Sequence, residues 1–161
     1  MIRTILKRIV VRLHRIFMRR MARLHYCHGS EERLHLGERV STMNTLFNVA
    51  SGDIHVGDLT IFGHNCMVIT GRHEYVGGKR GFIATGQPDA PPEGYNIRIG
   101  SGCWIASGSI ISGSVSIGDN TIIGAGSVVT RDIPADVFAA GVPARVIRRL
   151  EETSSEPDGR H

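Results

Sequence analysis

The segment IGSGCWIASGSIISGSVSIGDNTIIGAGSVVTRDIP, residues 99–134, decides the fold. Cut into sixes it reads IGSGCW, IASGSI, ISGSVS, IGDNTI, IGAGSV and VTRDIP. The first place is held by Ile99, Ile105, Ile111, Ile117, Ile123 and Val129, aliphatic and β-branched every time. The fifth is held by Cys103, Ser109, Val115, Thr121, Ser127 and Ile133, mostly small, and the second is small throughout. A period of six fits neither the 3.6 of an amphipathic helix nor the 2 of a half-buried strand. It matches the hexapeptide repeat of a parallel β-helix, in which each six supplies one short strand and a corner. Three sixes close a triangular coil of about 18 residues, coils stack about 4.8 Å apart, and the first-place aliphatics pile into one internal column.

Moving outward, the repeat persists upstream with interruptions. VGDLTI, FGHNCM and VITGRH put Val56, Phe62 and Val68 in the first place, and LGERVS begins the series at Leu36. Leu36 and Val56 are 20 residues apart, which predicts an irregular corner in the early coil. Residues 74–98 carry no repeat and are rich in glycine and proline, so a long loop is expected to leave the coil there. Loops of that length are uncommon inside compact domains and tend to carry function. The chain therefore divides into a β-helical domain over 36–148, with a loop at 74–98 and a closing segment at 134–148, followed by a disordered tail at 149–161. A coil stack has a thin core, so further burial is expected from oligomerisation.

The formal charge of +4 is unevenly placed. Residues 1–24 hold eight Lys and Arg and no acid, which leaves the body acidic and disfavours a nucleic-acid face on it. In that first segment Ile2, Ile5, Leu6, Ile9, Leu13, Ile16 and Phe17 share one side of a basic amphipathic helix. It lacks the apolar run of a membrane span or a secretory signal. Two roles remain open for it: a cap on the open end of the stack, or an anchor on anionic lipid. Residues 25–35 read as a polar connector. The three cysteines, Cys27, Cys66 and Cys103, form no CxxC, and the latter two fall at fifth places, as buried thiols in a reducing cytoplasm would.

Chemistry is expected where the uniform wall breaks. His73 closes VITGRH at the root of the loop. His55 precedes it by one coil length and is expected directly beneath it, with His64 half a coil away.

The run GCWIASGSIISGSVSIGDNTIIGAGSVVTRDIPADVFAAGVPARVIRRL resembles the hexapeptide-repeat acyltransferases, most of all their galactoside and maltose O-acetyltransferase branch. The similarity extends over roughly 36–148 and is densest over 99–148. It implies an all-β, left-handed parallel β-helix, a homotrimer, and an acetyl-CoA cleft between neighbouring subunits, with no metal required. It also implies that His73, in TGRHE, is the general base. A sugar hydroxyl is a poor nucleophile until its proton is removed, and an imidazole, with an ordinary pKa near 6.5, suits that task, typically worth about 10²–10⁴-fold. Glu74 either orients that ring or is solvated. Ser107 matches a serine of the acyl-CoA site, where it would donate to the oxyanion. Trp104 would line the same cleft or pack against a neighbouring subunit. Ala125 and Thr130 match positions along the pantetheine arm, and Arg131, Arg145 and Arg148 stand where the family places cations for phosphates.

The chain departs from the branch in two places. Leu46 stands before the Phe47-Asn48 pair where galactoside enzymes carry a sugar-binding asparagine, and Ala106 stands where glycine is usual. Galactoside and maltose are therefore not carried over as acceptors, and Asn48 and Asp53 remain candidates for acceptor contact. The expected activity is CoA-dependent O-acylation, with acetyl as the expected group, of a sugar or glycolipid hydroxyl, in the cytoplasm or on the inner face of a bacterial membrane. The alternatives are N-acylation of an amino-sugar nucleotide, a metal site built from His55, His64 and His73 as in γ-type carbonic anhydrases, and a non-catalytic scaffold.

Overall fold

In the computed structural model, residues 24–150 are described, together with Leu6 and residues 10–13. Leu6 and 10–13 are helical, and Leu6, Val10, Val11 and Leu13 are exposed. The rest of the expected amphipathic helix, and the expected tail from residue 151 on, lie outside the described residues. Among the described residues no helix is long and apolar enough to cross a membrane.

Three parallel walls rise around one column of apolar side chains. The first wall stacks β1 (Tyr26–His28), β3 (Leu46–Asn48), β6 (Met67–Ile69), β11 (Ile110–Ser112) and β14 (Val128–Val129). The second stacks β2 (Leu34–Leu36), β4 (Ile54–Val56), β9 (Ile97–Ile99) and β12 (Ser116–Ile117). The third stacks β5 (Ile61–Phe62), β10 (Trp104–Ile105), β13 (Ile122–Ile123) and β15 (Val137–Gly141), against which β16 (Ala144–Arg149) folds back antiparallel. The chain visits the walls in the order first, second, third, once per coil.

The places read from the repeat are the places that are buried. Val56, Phe62, Val68, Ile99, Ile105, Ile111, Ile117, Ile123 and Val129 all point inward, as do the fifth-place residues Thr60, Cys66, Cys103, Ser109, Val115, Thr121, Ser127 and Ile133, whereas Arg72, the fifth of VITGRH, is exposed at the loop root. Burial pushes the Cys66 and Cys103 thiols up from their ordinary pKa, which keeps them protonated. Fifth-place hydroxyls are tolerated inside because corner carbonyls receive them: Thr60 Oγ1 donates to Gly100 O at 2.7 Å and Ser109 Oγ to Ala106 O at 2.7 Å. The second place must be small where corners stack closely. A Cβ on Gly57 would come within 2.5 Å of Ser101 N.

Two sequence boundaries need correcting. The stack begins at Tyr26, inside the stretch expected to be a connector, because β1 pairs with β3 in register Tyr26↔Leu46. The coil resumes at Ile97, two residues before its expected resumption at Ile99, since Ile97 pairs with Ile54. The loop is itself built: a hairpin of β7 (Tyr75–Val76) and β8 (Lys79–Arg80) turns through Gly77-Gly78 into a short helix α1 (Gly81–Thr85). The irregular first coil is as expected, with Leu36↔Val56 in register 20 residues apart. The closing segment is the β15–β16 pair.

Candidate functional site

After β6 the chain passes Thr70 and Gly71 at the edge between the first and second walls, then leaves the stack. His73 stands at this exit with 57% of its side chain exposed. His55 does not lie beneath it, as the 18-residue spacing suggested. The excursion removes His73 from the slot above His55, and Arg98 of β9 fills it (His55↔Arg98).

The partner of His73 is Asp89, on the returning arm of the loop. Asp89 Oδ1 receives His73 Nδ1 at 2.8 Å, and Oδ2 receives Arg80 Nε at 2.9 Å and the Phe82 N–H at 3.1 Å. The Asp89 side chain is only 7% exposed. The hydrogen bond from His73 holds its carboxyl below the usual carboxylate range, aided by the Phe82 N–H and the Arg80 charge and opposed by burial. An ionised carboxylate only accepts, so Nδ1 of a neutral ring carries the hydrogen and Nε2 keeps its lone pair. That nitrogen is available to accept a proton. Glu74, the carboxylate next in sequence, is exposed and meets Asp89 through its backbone, its N–H donating to Asp89 O at 2.8 Å.

Ser107 lies on a different edge, between the third and first walls, in the same coil. Its Oγ accepts the His64 N–H at 3.1 Å, and its hydroxyl hydrogen remains free to donate outward. Ala125 stands one coil further along the same edge, where Gly126 N–H donates to Ser107 O at 3.0 Å. Trp104 projects from the third wall in a ladder with Ile61 and Ile122, half exposed. Arg145 and Arg148 are exposed on β16, with Arg148 Cζ 5.8 Å from the centre of the Phe138 ring. Thr130 and Arg131 are exposed on the edge that carries His73. His73, Thr130 and Arg131 thus share one edge and Ser107 and Ala125 another, the two separated by the width of the first wall.

The acceptor candidates are partly committed. Asp53 Oδ1 receives Arg33 Nε at 2.8 Å, and that hydrogen bond holds the carboxyl below its ordinary range against burial. Arg33 also donates to Pro92 O at 2.8 Å, tying the loop's return to the first coil. Together with Glu93, Gly94 and Asn96 these residues line a polar cleft of about 620 Å³. Asn48 Oδ1 accepts the Ala50 N–H at 2.9 Å, and the Asn48 side chain lies beside Gly71 at the loop root.

His55, His64 and His73 do not converge, since they sit on the second wall and on two separate edges. That three-histidine metal reading is withdrawn. His35, Asp53 and His55 do place one ligand atom each within 4.8 Å of one another. Their rings, however, are stacked, 4.3 Å apart and 16° from parallel, and an ion must lie in the plane of every imidazole it binds. Arg33 already occupies Asp53, and Arg98 adds further positive charge. Burial, then the His35 and Arg98 charges, lower the His55 pKa. The set does not fit a metal as it stands.

These features agree with comparison to known proteins. Residues 96–131 match the bacterial transferase hexapeptide (six repeats) family. Galactoside O-acetyltransferase of Lactococcus lactis is 33% identical over 132 residues, 80% of this chain and 58% of that protein. The crystal structure of a maltose O-acetyltransferase from Clostridium difficile superposes with a TM-score of 0.63 at 32% identity, over 80% of this chain and 65% of that one. Galactoside acetyltransferase in complex with coenzyme A superposes with a TM-score of 0.68 at 31% identity, over 79% of this chain and 60% of that one. The chain therefore carries the bacterial transferase hexapeptide repeat over residues 96–131 and is similar to the hexapeptide-repeat acyltransferases, with their left-handed β-helix fold. Among them it is similar to the galactoside and maltose O-acetyltransferases, and it spans less than two thirds of the length of these relatives.

Proposed function

We propose that this protein transfers an acetyl group from acetyl-CoA to a hydroxyl of a sugar or glycolipid. The observation that carries the reading is the His73–Asp89 pair, with an unprotonated Nε2 presented at the root of a built loop. Nε2 takes the acceptor's proton as its oxygen attacks the thioester carbonyl. The tetrahedral oxyanion is stabilised by Ser107 Oγ–H and nearby backbone N–H groups. The C–S bond then breaks, and the imidazolium returns its proton to the departing thiolate. Because His73 and Ser107 stand on separate edges, each site is assembled from two copies of the chain. A homotrimer, with Trp104 on the adjoining wall and Arg145 and Arg148 set for the phosphates of CoA, accommodates this. Residues 1–24, basic and amphipathic, fit an acceptor handled at an anionic lipid surface.

The test is a CoA-release screen with acetyl-CoA against paired hydroxy- and amino-sugars, free and lipid-linked. His73→Ala is expected to abolish turnover of the accepted sugar while the coil remains folded. Unaltered turnover in that variant refutes the assignment, and preference for the amine of each pair replaces O- with N-acylation. Mixing His73→Ala and Ser107→Ala chains after unfolding and refolding is expected to restore about a quarter of wild-type activity if random trimers form with shared sites.

A further inference from the structure

Asp89 presents a problem that His73 alone does not solve. A carboxylate 7% exposed beside a ring that must be neutral to act as a base has no countercharge in that ring. The loop supplies one. Arg80 ends β8, and Phe82 follows two residues later in the first turn of α1, so both donors to Oδ2 come from one short run. Gly81 between them makes the approach possible: a Cβ there would lie 2.8 Å from Asp89 Cβ. Its N–H donates to Glu74 O at 2.7 Å, which pins the run next to the loop root.

We propose that Arg80 is a positioning residue for the catalytic pair, gripping Asp89 by the carboxylate oxygen that His73 does not bond and offsetting its charge, so that the carboxylate orients the imidazole without claiming its proton-accepting capacity. The inference rests on His73 being the base. Among the described residues, the charged side chains bonded to Asp89 are His73 from the loop root and Arg80 from β8. Glu74 reaches it through its backbone, and the side chains of Arg72 and Lys79 are exposed. Removing the guanidinium leaves the full negative charge of Asp89 acting on the ring, which raises the ring's affinity for a proton.

The test uses the full chain with Arg80→Gln, Arg80→Lys and Asp89→Asn. The acid limb of kcat/KM against pH is measured with acetyl-CoA and the accepted sugar, and the His73 ring is titrated by NMR in the same proteins. Arg80→Gln is expected to move the limb up by about half a pH unit, an approximately threefold loss on the acid side that recovers by about pH 8.5. Asp89→Asn is expected to move it down, and Arg80→Lys, which keeps the charge, to leave it near its original place. An unmoved limb in Arg80→Gln, or a loss uniform across pH, overturns the proposal and leaves Arg80 a structural contact. The NMR titration separates the two readings. A shifted ring in a protein that acylates nothing refutes the function alone, whereas an unshifted ring refutes the role of Arg80.

Discussion

Replacing Ser107 with alanine separates chemistry from architecture. Its hydroxyl oxygen accepts the His64 N–H at 3.1 Å, and its hydrogen is free on an exposed edge. As an oxyanion donor its loss costs about 10²–10³ in kcat, or roughly 2.7–4 kcal/mol of transition-state stabilisation. As a corner piece its loss frees one N–H, on the exposed residue His64, that water can satisfy, so folding should weaken by only about 0.5–1 kcal/mol. For a domain of this size that corresponds to a fall in Tm of about 1–4 °C. Steady-state CoA release gives kcat and KM, and a thermal melt of the same sample gives the structural cost. The expected outcome is a hundredfold or greater fall in kcat, of that order, with KM for acetyl-CoA nearly unchanged. A change in kcat of only a fewfold, or one confined to KM, would falsify the oxyanion role.

Two further predictions concern the coil and the loop. Ile111 is fully buried while Ile110, beside it on β11, faces outward. Ile111→Ala should cost about 3–4 kcal/mol in urea unfolding at fixed protein concentration, counting lost transfer and residual cavity, and Ile110→Ala about 1 kcal/mol or less. Equal costs would mean the register is wrong. Asp89 and Asp53 both hold carboxyl pKa values below their unfolded ones, so the stability they give is present above about pH 4 and is lost as pH falls through the lower, folded values. Hydrogen exchange should show residues 74–96 losing protection near pH 3 before the coil does, and Asp89→Asn should weaken that dependence. Protection unchanged between pH 7 and pH 3 would contradict the ties through both carboxylates.

The coil was legible because it repeats: a side chain inward in one six predicts the next, and Ile99 through Val129 followed that rule to the last residue. The strand that opens the first coil was not, because β1 offers only the half-buried Cys27 to the core, between the outward Tyr26 and His28. His73 was legible as the point where periodicity ends. Asp89 was not. It lies 16 residues along an aperiodic loop, and its return to His73 depends on the hairpin and on the close approach at Gly81, neither of which leaves a periodic trace. Glu74 was the carboxylate nearest in sequence. Chain direction at the loop root turns it away, while Asp53, which sequence offered to the acceptor, had already been taken by Arg33.

The register across the excursion has a consequence for how such a fold diversifies. Ile54 meets Ile97 across 43 residues just as Ile99 meets Ile117 across 18, so the stack is indifferent to what is spliced in between. The prism behaves as a chassis and the stretch from His73 to Asn96 as a cassette. Its length and composition can drift while the strand pairings above and below keep their alignment. The tie from Arg33 to Pro92 marks how far that freedom extends: a replacement cassette must still come home to the first coil.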